Sequence, residues 1–327
     1  MVQIHTTAMP NVAKPMMTWL NILHRPCRHK MGKRLVGRLS GYALLIAKWG
    51  KANKTKSFTK GNQNMKCVKV DLPREHKEIK IEVFSDLHIG SKKCDYKLIQ
   101  ERIKRVAEDE DRYCIILGDS INDSIKSSVG DVYTEELSPM QQIQKACQLF
   151  EPIKHKIIGI TSGNHERRSY KTDGIDLSYF FARELRVEHL YDYCACLLFI
   201  RFGKAKTHGV GGSHGGKMCY TLYMTHGDGN GGRTIGGKMN GLQRRGQIVD
   251  ADIIVTGHTH APASFRDCFY KIDYANSNVS KREQLFVNAS ATLDYEEYAE
   301  LYGMKPSSKV SPIIVLDGRT KSANAIM

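Results

Sequence analysis

The chain has no run of about 20 apolar residues, the length a helix needs to cross a bilayer, so no integral membrane segment is expected. None of its nine cysteines (27, 67, 94, 114, 147, 194, 196, 219 and 268) forms a Cys-x-x-Cys pair. An odd count without paired spacing fits neither a zinc knuckle nor a disulfide framework. The expected compartment is reducing and cytoplasmic. No repeat of solenoid type is present. Acidic residues are absent from residues 1–64, which hold twelve of the 49 Lys and Arg. Of the net charge of +15 that segment carries twelve, leaving +3 for the rest of the chain. Basicity as an argument for nucleic acid therefore rests on those residues alone.

Residues 1–64 differ in character from the remainder of the chain. Leu35–Trp49 is their one sustained apolar run, interrupted by Gly37, Arg38, Gly41 and Lys48, and Lys51–Asn64 reads as a linker. Three readings stay open: a basic arm for nucleic acid or an anionic membrane, a transit peptide, or an extension outside the functional protein, which would begin near Met65. The first 20 residues lack a continuous apolar core, which argues against a cleavable secretory signal. The functional domain is expected over 65–327.

From Met65 the pattern becomes regular. A strand is expected up to Asp86, with Ile79, Ile81 and Val83 on one face and Lys80 and Glu82 on the other. Helices are expected over 96–110, 135–150 and 175–185, and short apolar strands over 114–117 and 157–161. Strand, helix, strand, helix, strand implies parallel βαβ units. The later part is richer in strands (194–202, 218–225, 251–256, 265–272, 284–289 and 312–316), with one helix over 238–249. Two packed sheets with helices outside are expected.

Five short stretches follow strand-like runs: Asp86-Leu87-His88, Gly118-Asp119, Gly163-Asn164-His165-Glu166, Thr225-His226-Gly227 and Gly257-His258-Thr259-His260. In open α/β sheets ligands sit beyond the carboxyl ends of strands. Here each such end carries an Asp, Asn or His, donors suited to divalent ions such as Mn, Fe, Zn or Ni. No cysteine lies in any of them. Asp86 and His88, and likewise His258 and His260, are expected to share a face because the strand period is two.

The ordered set D-x-H, G-D, G-N-H-[DE], H-G and G-H-x-H resembles the calcineurin-like metallophosphoesterase superfamily over roughly residues 78–292. The resemblance implies a four-layer α/β/β/α sandwich of two mixed sheets, with a dinuclear metal site at the strand C-terminal ends. It implies that Asp86, His88 and His260 bind one divalent ion, that Asp119 bridges, and that Asn164, His226 and His258 bind the second. His165 would be the general acid or a transition-state stabiliser. Two such ions lower the pKa of a bound water and clamp an in-line displacement; general acid assistance typically adds 10²–10⁴-fold.

One departure matters. The protein-phosphatase branch continues as G-D-x-x-D-R-G, and its second carboxylate orients the catalytic His. Here Asn122 stands at that position and the Arg-Gly is missing, which argues against a protein phosphatase. Asn122 is placed to hydrogen-bond His165, without a carboxylate's effect on its basicity, or to meet substrate. Arg167, Arg168 and Arg233, the last in the Gly-rich stretch after His226, are candidates for substrate phosphate. His76, His155, His189, His208 and His214 receive no role. The expected partner is a phosphate-ester substrate, more specifically a phosphodiester of a nucleotide or nucleic acid. Alternatives are a DNA nuclease subunit of the Mre11/SbcD type and a metal-binding scaffold without turnover.

Overall fold

The computed structural model describes residues 65–125, 128, 135–205, 216–228, 232, 234–295, 300, 303 and 305–327. They belong to the unit Gln63–Met327. The readings made for residues 1–64, Arg233, His208 and His214 lie outside the described residues.

The strands are β1 (Lys66–Asp71), β2 (Glu78–Phe84), β3 (Arg112–Ile116), β4 (Ile157–Thr161), β5 (Tyr191–Asp192), β6 (Ala195–Phe202), β7 (Met218–Thr225), β8 (Ile253–Thr256), β9 (Ala263–Asp273), β10 (Asn278–Asn288), β11 (Ile313–Asp317) and β12 (Ala323–Ile326). The helices are α1 (Tyr96–Glu108), α2 (Pro139–Phe150), α3 (Glu166–Asp173), α4 (Leu177–Glu184) and α5 (Ile235–Arg245).

Two six-stranded mixed sheets form, ordered β12-β11-β2-β3-β4-β5 and β1-β6-β7-β8-β10-β9. Strands β2 to β5 are parallel, as the alternation with helices requires, and β11 runs antiparallel beside β2. Between the sheets lie Ile79, Ile81, Val83, Ile115, Leu198, Leu222 and Val255. On the far side of the first sheet α1, α2 and α4 bury Ile99, Ile103, Ile143, Phe150 and Phe181 together with Phe84. The second sheet is covered by α5, where Leu242 meets Tyr223, Ile254 and Phe286. The described residues thus form the expected α/β/β/α sandwich.

Several local expectations change. The single strand up to Asp86 is two strands in different sheets: β1 pairs with β6, β2 with β3, and β2 ends at Phe84. The turn between them contains Pro73, which has no N–H to give a ladder. The polar face of β2 is not solvated either. Glu82 is fully buried under α1, where Arg102 Nε and Arg112 Nη1 each donate to it at 2.9 Å. Helix α3 was not anticipated, because its eight residues carry no apolar stripe; its inward side chains are Glu166 and Ser169. Strands β5 and β12, of two and four residues, are too short to leave a periodic pattern.

Candidate metal centre

The loops after β2, β3, β4, β7 and β8 converge. A ladder joins the first two: His88 N–H donates to Asp119 O at 3.0 Å, Ile89 N–H to Ser120 O at 3.0 Å, and Asn122 N–H back to Ile89 O at 3.0 Å. The distant Gly257–His260 loop meets the first directly. His258 N–H donates to Asp86 Oδ2 at 3.0 Å across 172 residues, and His260 Nε2 lies 3.2 Å from Asp86 Oδ1. Glycines permit this approach. A Cβ on Gly163 would fall 2.0 Å from Asp119 Oδ1, and one on Gly257 would fall 1.9 Å from Ser85 Oγ.

The backbone reason for the convergence differs from the one expected. Asp86 and His88 lie beyond the strand, at φ 53° and 50°, so no pleat aligns them. Asp119, His258 and His260 also have positive φ, at 47°, 64° and 52°. Each such non-glycine residue costs on the order of 1–3 kcal/mol and persists when its surroundings over-determine it. The strain lies in residues that sequence spacing had picked out for their side chains.

Among the described residues three clusters of donor atoms result, each with its atoms within 4.8 Å of one another: Asp86, His88 and His260; His88, Asp119 and His165; and Asp119, His226 and His258. Asn164 Oδ1 lies 3.0 Å from His226 Nε2 and so joins the third. His226 Nδ1 donates to Leu117 O at 2.8 Å, turning Nε2 towards Asp119 Oδ2 at 3.2 Å. Asp86, His88, Asp119 and His226 are buried; Asn164, His258, His165 and His260 are half-buried, the last two with side chains 17% and 32% exposed.

Electrostatics favour a cation. Burial opposes ionisation of Asp86 and Asp119, yet His226, with His260 for the former and His165 for the latter, holds both carboxyls well below the ordinary range. Burial acts against charge on His226 too, but the two carboxylates raise it to about 9. Burial, then His165, lowers His88 to about 3. Burial also lowers His165 and His258. The carboxylates draw a proton onto His226, and a metal ion would take that proton's place. Asp86 Oδ1 and His88 Nε2 are buried atoms with no hydrogen-bond partner, in one cluster with His260. Burying such atoms unpaired is costly. An oxygen and imidazole nitrogens suit a first-row divalent ion. The residues present therefore fit one.

Asn122 serves differently from expectation. Its side-chain Oδ1 accepts from His88 Nδ1 at 3.0 Å; it is the backbone carbonyl that accepts from His165 Nδ1, at 2.5 Å. Arg168 reaches the site, with Nη2 3.0 Å from His165 Nε2. Arg167 turns aside: its guanidinium donates to Ser162 O and Tyr193 O and lies over the Tyr193 ring at 5.0 Å.

Two bracing residues were missed. Glu166 accepts from the amides of Asp119, Ser120, Ile121 and Gly163, at 2.7–3.4 Å, and so ties the second motif to the third. Burial, then the Asp119 charge, pushes its carboxyl up to about 7 against those amides. Its place as the acid of G-N-H-[DE] was the available signal. Asn288, at the end of β10, donates to Thr259 Oγ1 and Ala261 O at 2.8 and 2.7 Å and holds the last loop. Nothing in the sequence marked it.

A two-sheet sandwich with histidines and aspartates gathered beyond its strand ends is the architecture of a metallophosphoesterase. The chain belongs to the calcineurin-like phosphoesterase family, whose model matches residues 79–262. The family supports hydrolase chemistry with divalent metals at the family level. No curated protein matches the chain. Solved structures similar to it include a predicted phosphoesterase from Streptococcus pneumoniae, at 13% identity over 77% of this chain and 90% of that one, with TM-score 0.32. Vacuolar Protein Sorting 29 from Cryptosporidium parvum aligns at 13% identity over 77% and 97%, with TM-score 0.35. Zinc-complexed Vps29 from Entamoeba histolytica aligns at 10% identity over 76% and 98%, with TM-score 0.32. No helix among the described residues is long and apolar enough to cross a membrane.

Proposed function

We propose that the chain hydrolyses a phosphate ester at a pair of divalent ions. Asp86, His88 and His260 would hold one ion and Asn164, His226 and His258 the other, with Asp119 as the carboxylate shared by both donor groups. The observation that carries this reading is a pair of buried atoms that make no hydrogen bond, Asp86 Oδ1 and His88 Nε2, inside converging donor clusters. Such ions activate water and neutralise charge on the phosphorus oxygens when bound.

The residues around them divide the remaining work. His165 donates Nδ1–H to Asn122 O, which leaves Nε2 as the atom that takes a proton from a water molecule and passes it to the leaving oxygen. Its side chain is 17% exposed, on the open side of the cluster. Arg168, bonded to the carbonyls of Asn122 and Asp123, holds a guanidinium beside the same nitrogen, placed to turn to a non-bridging oxygen. A phosphodiester of the nucleotide class is the substrate this supports. It carries one negative charge where a monoester carries two, and Arg168 is the cation that the hydrogen bonds bring to His165.

The test is hydrolysis of a phosphomonoester, a phosphodiester, cyclic nucleotides and single- and double-stranded DNA with Mn²⁺ or Ni²⁺ added. Diester turnover is expected, falling to background with a chelator and in Asp119→Asn, and by roughly 10²–10⁴-fold in His165→Ala. Absence of turnover with every metal, or turnover that survives both substitutions, overturns the reading.

A further inference from the structure

Glu135 lies outside every motif, yet two bonds connect it to the metal centre. Asn122 Nδ2 donates to Glu135 Oε1 and Gln142 Nε2 donates to Glu135 Oε2, both at 2.5 Å. Gln142 closes the circuit, since its Oε1 accepts from the backbone N–H groups of Asn122 and Asp123 at 3.1 and 3.0 Å. Gln142 is fully buried on α2. The Glu135 backbone is held as well: it bridges Ser91 in antiparallel fashion, and Glu136 N–H donates to Gly90 O at 3.0 Å. The segment is thus docked on the loop that carries Asp86 and His88.

The chemistry of this circuit is directional. A carboxylate only accepts hydrogen bonds, so Glu135 compels Asn122 to turn its NH₂ outward and its oxygen towards His88. That oxygen in turn accepts only from a protonated Nδ1. The His88 lone pair is then left on Nε2, the buried atom without a partner. Turned the other way, the Asn122 amide would present a donor to Nδ1 and put the proton on Nε2, where it blocks an ion. A residue two bonds away therefore decides which ring nitrogen faces the site.

We propose that Glu135, braced by Gln142, is a positioning residue for the metal centre: through Asn122 it holds His88 as the Nδ1–H tautomer with Nε2 open to a divalent ion. This rests on the two-ion reading and deepens it. Groups that orient metal-ligating histidines typically contribute 10–100-fold in metal affinity, and the same scale is expected here.

The experiment uses the full chain and Mn²⁺ alone, with affinity from titration calorimetry and tautomers from long-range ¹H–¹⁵N spectra of the ion-free protein. Wild type is expected to bind Mn²⁺ and to show His88 protonated on Nδ1. Glu135→Ala is expected to weaken binding by about 10–100-fold and to add the Nε2–H form, with its far-UV spectrum retained. In Asn122→Ala/Glu135→Ala the loss should not exceed that of Asn122→Ala alone, because the residues act in series. If Glu135→Ala does not fold, Glu135→Gln supplies the same readouts; exchanging one acceptor oxygen for a donor should still mix the tautomers. Wild-type affinity together with a single Nδ1–H tautomer in the folded variant overturns the proposal. Failure of the wild type to bind Mn²⁺ overturns instead the two-ion reading on which it stands.

Discussion

Two buried charges lie four residues apart at the end of one strand, and they are treated in opposite ways. Glu82 is fully buried and meets guanidinium groups of Arg102, Arg105 and Arg112. Arg102 further donates to Val83 O at 2.5 Å and Ser311 Oγ at 2.7 Å, and lies over the Phe84 ring at 4.5 Å. Only its Nη1 lacks a partner. Asp86 is as deeply buried, but its neighbours are histidines, its backbone is left-handed, and Oδ1 accepts no hydrogen bond. The first cluster is completed by the protein. The second has the geometry of one completed by something else, and burial or charge alone would not have separated them.

That contrast can be broken by substitution. Glu82→Ala leaves Arg102 buried and uncompensated, so it should cost about 3–5 kcal/mol of unfolding free energy, read by urea denaturation in the absence of metal. A loss under about 1 kcal/mol, the scale of an exposed ion pair, would mean that Glu82 is no more structural than a surface bridge. Asp86→Asn should cost the ion-free chain less than Glu82→Ala does, because no cation of the protein depends on Asp86 alone.

The same pair sharpens the comparison in the presence of metal. An ion at a hundred times its dissociation constant stabilises a folded chain by about 2.7 kcal/mol. Added Mn²⁺ should therefore raise the melting temperature of the wild type and of a folded, conservative Glu82→Gln fully, and that of Asp86→Asn by less, because only the site around Asp119, His226 and His258 keeps its donors. A full shift in Asp86→Asn would remove Asp86 from the ligand set.

The smallest effect is on pH dependence. Burial raises the Glu82 carboxyl, but Arg102, Arg105 and Arg112 outweigh it and hold the folded value below the ordinary 4.5. A depressed value means that this stabilisation is complete above the unfolded pKa and is lost as pH falls through the folded one. Stability should fall on acidification below about pH 4.5, and Glu82→Gln should flatten that limb. An unchanged slope would show that other carboxylates carry it.

Much of the fold could be read in the chain because its signals are local. The apolar runs at 114–117 and 157–161 became β3 and β4, and the stripe Ile99, Ile103 and Val106 became the buried face of α1. Failures fell where long-range packing overrides local pattern. The polar alternation at Lys80 and Glu82 did not disclose that α1 would supply Arg102 to bury it. Residues 65–86 looked continuous, and only their pairing partners divide them between sheets: β1 joins β6, as in Lys66 with Cys196, whereas β2 joins β3, as in Lys80 with Arg112. The family resemblance sets Asn122 beside His165, but its side chain bonds His88 and only its backbone carbonyl bonds His165.

By itself the sequence determined the chemical types at the centre. Aspartate, asparagine and histidine recur at five strand exits with glycines beside them, because such donors suit a divalent cation and such loops need close approach. Tertiary structure decided how those side chains face one another. It bent Asp86, His88, Asp119, His258 and His260 out of strand geometry, brought residues 172 positions apart into one hydrogen bond, and recruited Glu166, Asn288 and Glu135 as braces. The physical reason is that a hydrogen bond depends on distance and direction in space, and neither is written in residue spacing once the chain leaves the strand.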